Sequence, residues 1–231
     1  MSRRLGPVSF VLCVLAAPAA ADRYWVAYES DDFPENEGWE RVFGDENGPQ
    51  QGGSNRSLED GLLTLDSTRH HLIYDGYFWR QNVNPAPGEL FIAEWRLRVL
   101  EHVGPRGDSG FTVARDGGGT LGFSIALDSI RSEREGWQEA FAPGVFHTYR
   151  IESNDMVSYR FFLDGEHLRD GVWDIPSLNE SYVAFGDGVT GGGIRSLAEW
   201  DHVRFGVVPE PAPGLFVSCG TLWFLARRMP R

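Results

Sequence analysis

The sequence predicts an all-β chain folded as an antiparallel two-sheet sandwich, and three observations carry that expectation. Residues 146–185 (FHTYRIESNDMVSYRFFLDGEHLRDGVWDIPSLNESYVAF) hold successive runs of strict alternation. Glycine-rich turns recur at short, regular spacing, and almost no stretch shows helical periodicity. In the central segment His147, Tyr149 and Ile151 alternate with Thr148, Arg150 and Glu152. After a Ser153-Asn154-Asp155 turn, Val157, Tyr159, Phe161 and Leu163 alternate with Ser158, Arg160 and Phe162, and Asp164-Gly165 closes a tight hairpin into 166–169. A meander this aromatic on one face needs a second sheet to cover it.

Composition narrows the class. The chain has 231 residues, 42% hydrophobic and 13% aromatic, with 28 glycines, which fits one β-rich domain. Every basic residue is arginine, and five of the 21 lie in terminal segments that contain no acid. Residues 22–211 therefore hold 16 basic and all 33 acidic residues, a net charge of −17. Such a surface repels nucleic acid, so no nucleic-acid partner is expected. Cys13 and Cys219 both sit in terminal apolar segments, which leaves the body without a disulfide framework and dependent on its core.

Taken in order, Arg3-Arg4, the short apolar run 8–17 and Ala19-Ala20-Ala21 make a secretory signal peptide over 1–21, with the cut expected before Asp22. Residues 24–55 are acidic and turn-rich and read as an entry strand plus a long loop. Strands are expected at 61–67 (GLLTLDS) and 72–79 (LIYDGYFW). Past Pro85-Ala86-Pro87-Gly88, residues 91–99 alternate most clearly, with Trp95, Leu97 and Val99 on one face. Residues 111–114 and 121–127 follow as strands; on the second, Gly122, Ser124 and Ala126 form a small-residue face that leaves room for a strand or a ligand. Residues 130–141 fit a strand or one helical turn, 186–193 a glycine loop, and 197–205 (LAEWDHVRF) the closing strand.

The succession DGLLTLDS, FHTYRIES, YRFFLDGEHL, AFGDG and AEWDHVRF resembles the concanavalin A-like lectin/glucanase superfamily, laminin-G-like domains included, over roughly residues 31–205. The resemblance implies a jelly roll of two curved sheets over 22–206 and a polysaccharide partner. Lectins, glycan-binding modules, glycosidases and adhesive domains all share that fold. Val208-Pro209-Glu210-Pro211, the apolar stretch 212–226 and Arg227-Arg228 resemble the PEP-CTERM sorting signal of Gram-negative bacteria. That resemblance implies a sorting tail over 207–231 with a short hydrophobic helix, transient inner-membrane contact, an exosortase-type membrane protease as partner, and a cell-surface or extracellular destination. The physical parts agree: a proline-stiffened motif, a short apolar segment and a positive stop.

Retaining glucanases of this fold carry carboxylates at E-x-D-x-E spacing on one strand, and no such triplet occurs here. Glu133 and Glu135 are the nearest pair for a hydrolase or lyase, with Trp137 as a sugar platform, although E-R-E is also ordinary solvated surface. Resemblance to calcium-holding members points to Asp201 as a ligand for a structural Ca2+, near Asp31-Asp32, while an ion pair with Arg204 would use the same carboxylate. Tyr77 and Trp79 share one strand face with Arg80 behind them; they suit a stacked sugar ring and its hydroxyls, or, for the rings, the core. His70-His71 point to opposite faces of a strand and make no metal pair. The expected function is a non-catalytic glycan-binding or scaffolding surface module. A glycoside hydrolase or lyase and a purely structural surface protein are the alternatives.

Overall fold

A computed structural model describes residues 23–43, 55–68, 76–85, 88–104, 109–116, 119–132, 135–173, 180–188 and 194–208. Apart from one 3-10 turn at Pro34–Glu37, every regular element among them is a strand, and the strands form two antiparallel sheets. The expected sandwich is the observed architecture. The signal helix and the C-terminal hydrophobic helix fall outside the described residues.

The chain enters through β1 (Arg23–Tyr28). β2 (Glu40–Phe43) lies inside the acidic stretch read as strand and loop, and β3 (Asn55–Glu59) begins at its end. β3 turns into β4 (Leu62–Asp66) at Asp60-Gly61, whose φ values of 53° and 71° are the left-handed pair of a two-residue hairpin. β5 (Gly76–Asn82) starts later than expected, and 69–75 lie outside the described residues. The long β6 (Leu90–Val103), β7 (Ser109–Ala114) and β8 (Thr120–Ile125) follow the alternation seen in the sequence.

The ambiguous stretch 130–141 resolves into β9 (Ser129–Ser132) and β10 (Gln138–Ala140), two short antiparallel strands. β11 (His147–Ser153), β12 (Ser158–Leu163) and β13 (Glu166–Val172) form the meander, with Asp164-Gly165 at φ 51° and 82° between the last two. β14 (Tyr182–Gly188) takes in Gly186 and Gly188, which the sequence suggested as the start of a loop. β15 (Arg195–Val208) runs past the expected domain end at 206, so Val207 and Val208 belong to the sheet.

One sheet runs β13-β12-β11-β6-β15-β4-β3, with β1 also on β15; the other runs β10-β9-β8-β7-β14-β5-β2. β15 pairs with β6 along its whole length, and its other edge is divided between β4 and β1. Alternation places the core. From β6, Phe91, Ala93, Trp95, Leu97 and Val99 are buried, and across from them lie Phe111, Phe123 and Phe185 of the second sheet. Trp95 stacks on Phe111 with ring centroids 3.8 Å apart and sits 5.5 Å from Tyr149. Each such ring contributes roughly 1.5–3 kcal/mol by burial, and the stacked pairs about 0.5–1.5 kcal/mol more.

At Gly186 the backbone of β14 lies close against that of β5. A Cβ there would lie 2.1 Å from the Tyr77 carbonyl oxygen, and φ is 143°. Gly186→Ala should therefore destabilise the domain by about 1–3 kcal/mol, as an overpacked core does. Urea unfolding of residues 22–208 checks this; Gly61→Ala, where no atom lies within 4 Å of the added Cβ but φ is 71°, separates steric from conformational cost.

Candidate functional site

The two sheets present opposite kinds of outer face. On the eight-stranded sheet the outward side chains are charged and already paired across strands. Arg160 bonds Glu152, which also meets Arg150 at 2.8 Å; Arg150 approaches Glu94 at 3.9 Å. Arg204 forks onto Glu29 at 2.5 and 2.6 Å and comes within 3.8 Å of Glu94. Arg98 meets Glu199 at 2.6 Å and Arg96 meets Asp201 at 2.8 Å. These five arginines and five carboxylates cancel, so the acidic excess of the body resides elsewhere.

Asp201 owes its position to a break in register. β15 shifts between Trp200 and His202, so Trp200 and Val203 both face the core with two residues between them. Asp201 and His202 are left on the outer face, where His202 Nδ1 lies 3.0 Å from the Asp201 carboxylate and Nε2 lies 3.4 Å from Glu94. Burial pushes the Asp201 carboxyl up, but the Arg96 hydrogen bond and His202 outweigh it and hold it below the usual aspartate range. His202, then the Arg150 and Arg204 guanidiniums, hold Glu94 below the glutamate range against its burial.

The carboxylate expected to hold calcium is thus engaged by Arg96 and His202, rather than by the Arg204 considered from sequence. Asp32, expected nearby, accepts from the Phe33 backbone and the Asn36 amide at 2.7 and 3.0 Å. Among the described residues no group of three or more His, Cys, Asp or Glu is arranged to hold a metal. The depression of about 500 Å³ on this face is lined by Glu94, Thr148, Arg150, Glu152, Phe162 and the Asp164 turn, with its charges spent on one another.

Three of the aromatic rings considered from sequence are buried. Tyr77 and Trp79 point into the sandwich, 7% and 0% exposed, stacked at 5.6 Å, with the Trp79 indole donating to Glu35 at 3.0 Å. Their shared face is the core face. Trp137 is 9% exposed and covered by the Arg169 guanidinium at 4.6 Å. Glu135 accepts from the Trp137 indole at 2.7 Å, from the Tyr159 hydroxyl and from the Val172 backbone at 2.9 Å, so its oxygens serve the sheet edge. Burial, then the Glu135 contact, push the Tyr159 hydroxyl up. Glu133, His70 and His71 lie outside the described residues, as do Pro209, Glu210, Pro211, Arg227 and Arg228.

Arg80 is the expected ligand residue that does face outward, and it leads to the second face. It lies on the seven-stranded sheet with Phe78, bonded to Glu40 at 2.8 and 3.2 Å and to Glu180 at 2.6 Å. Register then places small residues beside them. Arg80 is opposite Ala184, which is opposite Thr112, which is opposite Gly122. Phe78 is opposite Gly186, then Gly110, Ser124 and Arg131. From β5 to β9 this floor spans four strand spacings, roughly 19 Å. At its far rim the Arg131 Nε is buried without an acceptor among the described residues.

The small face on β8 was legible in the sequence. Its continuation through Thr112, Gly110, Ala184 and Gly186 was not, because register between non-adjacent strands has no local signal.

No protein-family model and no curated protein matches the chain. Among solved structures, the chain is similar to a carbohydrate esterase of the Shiga toxin-encoding bacteriophage phi24B, with TM-score 0.56 and 10% identity over 81% of this chain and 99% of that one. A structure titled for endo-acting O-glycanases of human gut microbiota that initiate mucin breakdown gives TM-score 0.55 and 13% identity, covering 81% and 100%. A sialidase gives TM-score 0.53 and 11% identity over 79% of this chain, which spans only 18% of that protein's length. At these identities the likeness is one of fold: the two-sheet jelly roll found among carbohydrate-active proteins.

The paired carboxylates make stability fall in acid. Glu94 and Asp201 have depressed folded-state values, so their stabilisation is present above the ordinary carboxylate range and is lost as pH falls through those values, below about pH 4. The thermal midpoint of residues 22–208 should be flat from about pH 6 to 8 and drop below about pH 4. Glu94→Gln should lower the plateau and shrink the drop, read by circular dichroism melts across pH.

Proposed function

We propose that this is an exported bacterial surface or matrix protein whose sandwich binds an extracellular polysaccharide without cutting it, on the outer face of the seven-stranded sheet. The observation that carries the reading is the run of small residues at matching rungs between Phe78 with Arg80 and Arg131, of which Gly110, Thr112, Gly122 and Ser124 are half-buried while Ala184 and Gly186 are covered. A sugar chain needs backbone-level space, an aromatic edge for its C–H faces and directed donors for its hydroxyls. The buried Arg131 Nε adds a donor whose desolvation costs roughly 1–3 kcal/mol until an acceptor meets it. The acidic body favours a neutral or cationic glycan over a polyanionic one.

The non-catalytic part of the proposal rests on Glu135, whose carboxylate is held by three donors. A general acid or nucleophile needs an oxygen free to reach substrate. Export and sorting rest on the sequence signals: the 1–21 signal peptide, the Val208-Pro209-Glu210-Pro211 motif, the apolar segment and the closing arginines. In this reading an exosortase-type protease processes the tail during a transient inner-membrane stage, and the domain is delivered to the surface.

Purified residues 22–208 titrated with the producing organism's own polysaccharide, by calorimetry and by chain-length analysis of the polymer, test the proposal. Saturable binding with unchanged polymer length is expected, weakened about tenfold or more by Arg131→Ala. Shortened polymer, abolished by Glu135→Gln, would instead establish the hydrolase or lyase alternative. An absence of binding at any concentration would leave a structural surface domain.

A further inference from the structure

The outer ion pairs of the eight-stranded sheet concentrate on one strand junction. Arg98 with Glu199, Arg96 with Asp201, Arg204 with Glu94 and His202 with Glu94 each join a side chain of β6 to one of β15. Two of these pairs, Arg98 with Glu199 and Arg204 with Glu94, lie directly opposite in register. Beneath them the backbones are matched from Arg195 opposite Val103 to Val208 opposite Leu90, with two register shifts on the way. The other edge of β15 is held by β4 and β1, and on the inner side Ala198, Trp200, Val203, Phe205 and Val207 are buried. β15 is therefore held on both edges and on both faces.

The two ends of the strand face different attachments. Ser196, near its start, meets Ser109 across the sandwich, hydroxyl to hydroxyl at 3.1 Å, and Ser109 precedes Gly110 in the run of small residues on the other sheet. At its far end the strand finishes at Val208, and the chain continues from there. The 14 residues of β15 separate those ends by roughly 45 Å. Ladder bonds of an antiparallel pair run perpendicular to the strands. Force along β15 therefore loads its rungs to β6 together, in shear. Force across a pair at one end opens the rungs one after another instead, and Arg23 opposite Val207 is such an end.

Resting on the surface reading above, we infer that β15 is a mechanical tether. It carries tension between a polymer held on the seven-stranded face and the chain that continues past Val208. The domain is mechanically anisotropic: it resists a pull along β15 and yields to a pull that parts β1 from β15. Strand register gives the resistance, and the surface setting gives the load.

The test is single-molecule force spectroscopy on the full chain carrying Cys13→Ser and Cys219→Ser, so that introduced cysteines are the only handles. One form has its handles at the exposed Val103, as Val103→Cys, and after Arg231, which draws β6 and β15 past each other. A second has them at Asp22→Cys and after Arg231, which draws Arg23 away from Val207. At one loading rate the first rupture should need at least about twofold more force in the first form, because its rungs break together. Glu199→Gln removes the ionic partner of Arg98. It should raise the forced-rupture rate about two- to fivefold in the first form and leave the first rupture of the second unchanged. Equal forces in the two forms, or a lower force along β15, would overturn the inference, as would a Glu199→Gln effect of the same size in both. The force measurement involves no polysaccharide. Rupture as expected in a chain that binds no polymer in the titration above would overturn the surface reading and the tether role, and would leave the anisotropy standing.

Discussion

The pairing of β15 with β6 is the constraint on which the rest of the domain depends. β6 supplies Trp95, and β15 supplies Trp200, Val203 and Phe205, to the same buried layer. The remaining edge of β15 carries β4 at one end and β1 at the other, so a C-terminal strand holds together segments from the beginning of the body. Its contacts are among the most distant in sequence that the chain makes, and loop-closure entropy must be met before they contribute. The same pairing sets the outer face, because the register shift at Asp201 and His202 keeps Trp200 and Val203 inside while turning two titratable side chains outward.

The sheets divide the chemistry between them. The eight-stranded sheet sets five arginines against five carboxylates; pairs of that kind contribute about 0–1 kcal/mol each where solvent reaches them, and somewhat more where Glu94 and Glu199 are largely covered. Pairing alone does not set the two faces apart, since Arg80 of the seven-stranded sheet is held by Glu40 and Glu180 as well. The seven-stranded sheet carries glycine, alanine, serine and threonine at matching rungs of β14, β7 and β8, bounded by Phe78, Arg80 and Arg131. The run of small residues comes from register, since each strand alone has only two or three of them; its half-buried part lies on β7 and β8, at Gly110, Thr112, Gly122 and Ser124.

Much of the fold was legible because alternation and Asp-Gly turns are local signals. The meander 147–172, the long β6 and the closing strand all follow from them. The Asp60-Gly61 hairpin carried the same signal and implied β3 just before it, yet the polar residues 55–59 masked the strand. Gly186 and Gly188 looked like loop because glycine is weak in strands; at Gly186 the close approach of the Tyr77 carbonyl demands it. The candidate site was less legible. Period 2 put Tyr77 with Trp79 and Phe78 with Arg80, but which pair faces the core is decided by the second sheet, and the larger aromatic pair went inside. Asp201 looked like an oxygen ligand from its place on the last strand. Its partner Arg96 lies 105 residues away in sequence and becomes its neighbour only through the β6 and β15 register.

The central claim is that ligand lies on the seven-stranded face. It is tested most directly by following backbone amide shifts of isotope-labelled residues 22–208 during titration with oligosaccharides cut from the producing organism's own polysaccharide. The account predicts saturable shifts centred on Gly110, Thr112, Gly122, Ser124 and Arg131, with Thr148, Arg150 and Glu152 of the opposite sheet unmoved. Shifts centred on that opposite sheet, or none up to solubility, would contradict it.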